Sequence, residues 1–140
     1  MVVLIRAFLL FALVGCSAAP EPEDWLYQQL GAAEGLEKIT DGLLREIEHD
    51  PQIVHHFQDT DIARFRKLLI EQLCELSGGP CKYSGASMQE SHTGFQITQA
   101  DFDNLVGHLI KVMTEQQVAI SAQNRLLAKL APMYRDVVYR

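Results

Sequence analysis

Five histidines, three cysteines and a scatter of carboxylates hold whatever chemistry this chain can do. A neutral imidazole binds transition metals and moves protons near neutral pH. A thiolate serves as nucleophile, metal ligand or half of a disulfide. No familiar catalytic spacing combines them: there is no H-E-x-x-H, no glycine-rich phosphate loop, no G-x-S-x-G and no C-x-x-C-H. His55 and His56 are adjacent, and adjacent residues seldom share one ion in good geometry. His49 falls at a helix end, where a cation suits the backbone dipole. His108 lies off the apolar stripe of its helix and is expected in solvent. His92 stands apart, four positions after Met88 and two before Gly94, in a long segment without apolar periodicity. By composition alone such a histidine is more often a surface or core residue than a ligand.

The elements that must position these residues are helical. Apolar residues recur at three and four positions from Trp25 onward. Leu36, Ile39, Leu43 and Ile47 form one stripe, and Asp50-Pro51 ends it because the residue before proline avoids helical angles. Ile62, Phe65, Leu69, Leu73 and Leu76 form a second, capped by Thr60 or Asp61 and ended by Gly78-Gly79-Pro80. Phe102, Leu105, Leu109, Val112 and Met113 form a third, opened by Thr98 and Asp101 at capping-box spacing. Leu126, Leu130, Met133 and Val137 form a fourth, with Ser121 as its cap and Pro132 marking a kink or break. The chain therefore reads as all-α, with four main helices and one irregular segment from Ser77 to Thr98. Irregular segments of that length inside compact domains are usually functional or disordered.

The 140 residues amount to one domain. Eighteen acidic residues against twelve basic ones give a net charge of −6, which disfavours a nucleic-acid partner. The N-terminus reads separately. Ala7–Val14 is an unbroken apolar run, too short to span a bilayer, and it fits the apolar part of a secretory signal. Leu13-Val14-Gly15-Cys16 resembles the lipobox of bacterial lipoproteins, which implies cleavage before Cys16 and its lipidation. The division is then a signal peptide over 1–15, a lipidated tether over 16–23 and a folded domain over 24–140. The expected location is the cell envelope, anchored to the outer membrane on its periplasmic side. Cys74 and Cys81 remain, and an exported protein sits where disulfides persist; the sequence leaves their pairing open.

The domain resembles the group I truncated haemoglobins. The resemblance rests on the order and spacing of Leu26-Tyr27-x-x-Leu30-Gly31, Asp50-Pro51-x-Ile53, Phe57-x-x-Thr60-Asp61 and Gly78-Gly79-Pro80. It continues through Tyr83-Ser84-Gly85, Met88-x-x-x-His92, the run from Gly94 to Phe102, and Leu130-Ala131-Pro132. It covers Asp24 to the C-terminal region. It implies a two-over-two helical sandwich around non-covalent haem b, with His92 on a short helix as the axial ligand to iron. It also implies that Phe57 packs on the haem and that Tyr83 lies near the haem edge, where its hydroxyl can reach a propionate.

The departures from the family pattern concern the gas-facing side. Leu44 is matched to the place usually held by a tyrosine, and Phe65 and Leu69 to the facing positions on the next long helix. Leu68 stands where a basic residue often holds a propionate, leaving Lys67 or Arg66 to substitute. The expected pocket is apolar, and the expected function is reversible binding of O2, NO or CO. Two alternatives stand beside it: a haem enzyme for NO dioxygenation or peroxide chemistry, which needs a reductase, and a lipoprotein interaction module without haem. Whether His56 supplies a sixth ligand stays open.

Overall fold

The computed structural model describes residues 21–140, and the leader, Cys16 and its expected lipidation lie outside that range. Among the described residues all regular structure is helical. In chain order the α-helices are α1 (Trp25–Gln29), α2 (Ala32–Glu48), α3 (Ile62–Leu76), α4 (Met88–His92), α5 (Gln99–Glu115), α6 (Ile120–Leu130) and α7 (Tyr134–Val137). Short 3-10 turns cover Val54–Phe57 and Ala131–Met133. None of these helices is long and apolar enough to cross a membrane.

The four long helices are those the apolar stripes predict. Asp61 caps α3, its carboxylate accepting the Arg64 amide at 3.0 Å and so satisfying one of the orphan donors of the first turn. Thr98 and Asp101 close a reciprocal capping box at the start of α5. Gly78 takes the left-handed conformation (φ +84°) just after α3, and the Gly79 amide donates back to the Cys74 carbonyl. The Pro132 break is a 3-10 turn between α6 and α7. The cap of α6 differs from expectation. The helix starts at Ile120 after Ala119, so Ser121 sits inside its first turn and caps nothing.

Helix α2 packs on both α3 and α5, and α5 also packs on α6, giving two helix pairs laid one over the other. Leu30, Leu36, Ile39, Leu73, Met113 and Leu126 are fully buried where these helices meet. The α2–α5 contact is tight because Gly42 presents no side chain: a Cβ there would lie 2.5 Å from Val112 Cγ1.

A polar latch closes the far end of that contact and corrects the reading of His108. Its imidazole is sandwiched between two carboxylates, with Nε2 2.6 Å from Asp50 and Nδ1 3.3 Å from Glu46. Asp50 also accepts from Asn104, and Lys111 pairs with Glu46 at 2.8 Å. The hydrogen bond to His108 holds the Asp50 carboxyl below its usual range. A residue off the apolar stripe is here met by acids from α2 and the turn just after it rather than by water.

Gly42→Ala is expected to cost about 1–3 kcal/mol, because α5 must move or Val112 must leave its rotamer. Urea unfolding should show a lower midpoint with an unchanged slope.

Candidate functional site

The site is built on a helix of five residues, which is too short to hold itself together in water. Helix α4 is instead fixed at both ends. Ser87 accepts the Glu90 amide, and Glu90 returns the contact to Ser87, completing a capping box. At the other end Gly94 turns the chain with φ +90°, and the Phe95 amide donates to the His92 carbonyl. Between these ends His92 Nδ1 lies 2.7 Å from the Met88 carbonyl oxygen. A carbonyl can only accept, so Nδ1 carries the proton. In the neutral imidazole Nε2 then keeps its lone pair, which is the tautomer a metal requires.

His92 lines a cleft of about 310 Å³ between the helix pairs. Its walls are overwhelmingly apolar. Leu43, Phe57, Phe65 and Leu69 come from α2, the first 3-10 turn and α3, with Leu105 and Leu109 of α5 behind them. The Phe57 and Phe65 rings meet at 5.4 Å, tilted by 55°. One imidazole nitrogen on the wall of an apolar cleft is a poor site for a free ion, which needs several ligands. Among the described residues no cluster of three or more His, Cys, Asp or Glu offers such a set. The arrangement suits a metal whose other coordination positions are filled by a large apolar ligand, as iron's are in haem.

The structure gathers most of the residues singled out in the sequence. Phe57, Phe65, Leu69, Tyr83 and His92 all line the cleft. Leu44 does not: it is half-buried on the neighbouring helix face, and Leu43, buried at 4% exposure, takes the wall position. The residue type is the same, so the wall stays apolar. Lys67 is also elsewhere. Its side chain is 69% exposed and pairs with Glu71, while Arg66 is held by Asp41 at 2.6 Å. Leu68 lies in the wall where a basic side chain had been sought nearby. Tyr83 lines the cleft, but its hydroxyl donates to the Ala86 carbonyl at 2.8 Å.

Two polar features of the cleft were not anticipated as such. His56 Nε2 sits 3.3 Å from Asp101, with both side chains almost covered. Asp101 is also the closing acid of the α5 capping box, and the Thr98 hydroxyl and amide are the main reasons its carboxyl is held down at about 2. Gln72 reaches between two thioethers, with its amide 3.2 Å from the Met88 sulfur and 3.8 Å from that of Met133. Gln72 lies one position before Leu73 of the α3 stripe, so periodicity gave no reason to count it as lining. His56 gave a weak signal, its place beside Phe57.

A model of the bacterial-like globin family matches residues 25–139. The chain belongs to that family. This globin is 30% identical over 99 residues to the group 1 truncated hemoglobin GlbN of Nostoc commune, covering 71% of this chain and 82% of that one. It is 28% identical over 112 residues to that of Mycolicibacterium paratuberculosis, covering 80% and 82%. Among solved structures, the truncated hemoglobin from Tetrahymena pyriformis in its Fe(III) form superposes with a TM-score of 0.79 at 23% identity, over 82% of this chain and 98% of that one. The 2/2 hemoglobin from Synechococcus sp. PCC 7002, in the cyanomet state and with covalently attached heme, gives 0.76 at 21% identity over the same shares. The globin therefore has the two-over-two fold that the sequence implied, and the paired layers α2–α3 and α5–α6 are its sandwich.

Acid should act on this globin through Asp101. A carboxyl held at about 2 when folded, against an ordinary 3.8, stabilises the fold above pH 3.8. That contribution fades as the pH falls toward 2, because the unfolded state takes up the proton first. Asp101→Asn should therefore lower stability at neutral pH, leave it nearly unchanged at about pH 2, and flatten the slope between. Urea unfolding at several pH values measures all three.

Proposed function

We propose that this globin binds haem b non-covalently, with His92 Nε2 as the axial ligand to iron, and that it binds a diatomic gas reversibly. The observation that carries the reading is the 2.7 Å contact between His92 Nδ1 and the Met88 carbonyl. It presents one neutral imidazole nitrogen at an apolar cleft and fixes which nitrogen is free. Haem iron, when held there, supplies one open coordination position for O2, NO or CO. Phe57 and the leucines of α2, α3 and α5 exclude water from a porphyrin face, a burial worth roughly 25 cal/mol per Å² of apolar surface.

The pocket residues then decide which gas is kept. A ligand that gains negative charge on binding, as O2 does, is retained by a donated hydrogen bond worth about 1.5–3 kcal/mol. Leu43, Phe65 and Leu69 carry no donor, and the Gln72 amide is turned toward Met88 and Met133. O2 should therefore leave about ten to a hundred times faster than from a globin with such a donor. CO and NO depend less on donors and are disfavoured less. The same lack of donors on Leu43, Phe65 and Leu69 weighs against a dedicated peroxide or NO-dioxygenation enzyme, which would also need a reductase. The family and the shape of the cleft leave no need for a haem-free interaction module.

The cellular setting is part of the same proposal. The lipobox-like Leu13-Val14-Gly15-Cys16 supports export and lipidation at Cys16, with the globin domain tethered to the outer membrane on the periplasmic side. A cystine between Cys74 and Cys81 is in keeping with an oxidising compartment.

His92→Gly should take up haem weakly and lose the Soret band of a histidine-ligated species, and added imidazole should restore it. A variant with an unchanged spectrum would mean another residue holds the iron. Leu43→Tyr should slow O2 dissociation about tenfold or more by adding a donor. An unchanged rate, measured by stopped-flow, would mean that Leu43 does not face the gas.

A further inference from the structure

We infer that the Cys74–Cys81 disulfide is the covalent member of a staple that sets the position of His92, so that haem retention follows the thiol redox state. The inference rests on His92 being the haem ligand. Cys74 belongs to α3 and is buried at 1% exposure, so that end of the cystine is part of the core. Cys81 is half-buried, seven residues on, in the segment that leads from α3 to α4.

Helix α3 reaches the same segment through two acids flanking Cys74. Glu75 accepts the Tyr83 amide at 3.0 Å and the Lys82 ammonium at 3.2 Å. Glu71 accepts the Ser84 amide at 3.1 Å and its hydroxyl at 2.6 Å. The Tyr83 hydroxyl then donates to the Ala86 carbonyl, one residue before Ser87 caps α4. An unbroken line of contacts thus runs from α3 through the segment to the Met88 carbonyl and His92. The Ser84 hydroxyl and the Tyr83 amide are the leading reasons that Glu71 and Glu75 are held below the usual carboxylate range, so both acids are charged and accepting at neutral pH.

All the hydrogen bonds in that line from Glu71, Glu75 and Tyr83 are exposed. Water competes for each, and each contributes little net. The cystine has no such competitor. It closes a ring of only a few residues, and so short a ring removes less entropy from an unfolded chain than a long one does. Its effect should therefore be local, on the segment that carries His92, rather than on the fold as a whole.

Reduction would proceed by thiol exchange. A dithiol's thiolate attacks Cys81 Sγ, the better exposed sulfur, and the S–S bond breaks with Cys74 leaving as the thiolate. The second thiol of the reagent then displaces Cys81. The cystine gains two electrons and two protons, and the reagent leaves as its own disulfide. Cys81 is then free to move away from α3.

The test uses the haem-loaded full chain, before and after reduction with dithiothreitol and anaerobic removal of the reagent. Two quantities are read: amide exchange in residues 82–93, and the rate of haem transfer to excess apomyoglobin. Both should rise about tenfold while exchange in α2 and α5 stays unchanged, and reoxidation should restore both. Cys81→Ser should behave like the reduced parent and be insensitive to the reagent. Unchanged exchange and transfer on reduction would overturn the staple. So would equal loss of protection in α2 and α5, which would make the cystine a clamp on the whole domain. An oxidised chain that takes up no haem would instead overturn the haem reading, and exchange in residues 82–93 would still decide whether the cystine holds the segment.

Discussion

A single imidazole must be held still by a helix that has no stability of its own, and most of this structure can be understood as meeting that constraint. Five residues form too few backbone hydrogen bonds to offset the entropy of ordering them. Helix α4 is therefore determined from outside. The Ser87–Glu90 box starts it, Gly94 ends it, α7 packs on it, and the segment before it is tied to α3. The segment after it is tied down by the C-terminal tail, where the Tyr139 amide donates to the Ile97 carbonyl and the Gln96 amide to that of Arg140. Only with both flanks fixed can Met88 and His92 keep the contact that leaves Nε2 free.

The cleft that His92 faces follows from the same economy. A two-layer helical domain of this size has little core to spare, yet α2, α3 and α5 give much of their apolar surface to the cleft wall instead of to one another. Leu36, Ile39 and Met113 are fully buried beside it, whereas Phe65, Leu69 and Leu105 stay partly exposed. Half-covered large apolar side chains converging on one space suit burial against a flat apolar group. Three polar side chains of the wall are turned to partners. His56 is turned to Asp101, Gln72 to two thioethers and Tyr83 to Ala86.

The four long helices were legible because apolar periodicity and capping residues act within a few positions of each other. The place of His92 on the cleft wall was legible only through the order of motifs around it. What escaped depended on neighbours distant in sequence. His108 looked solvent-facing because its partners, Glu46 on α2 and Asp50 just beyond its end, lie more than fifty positions away. Lys67 is a local case instead: its partner Glu71 stands only one helical turn on, at the i,i+4 spacing that pairs opposite charges. The choice of Leu44 over Leu43 had a local remedy: Leu43 stands four residues after Ile39 and four before Ile47, on the stripe, and Leu44 is a step of about 100° around the helix. Ser121 was favoured as a cap by residue type alone, but α6 begins one residue earlier, and Ile120 stays largely exposed as its first residue. The cystine was open until Cys74 and Cys81 were seen with their Cα atoms 5.7 Å apart.

The central claim is that a neutral His92, oriented by the Met88 carbonyl, binds haem iron through Nε2. The most direct measurement is the resonance Raman spectrum of the ferrous, gas-free protein, recorded with natural histidine and with ¹⁵N-labelled histidine. An iron–histidine stretching band is expected that shifts to lower frequency with the label and is absent in His92→Ala. A haem-loaded protein whose low-frequency spectrum ignores the label, or whose labelled band survives in His92→Ala, would contradict it.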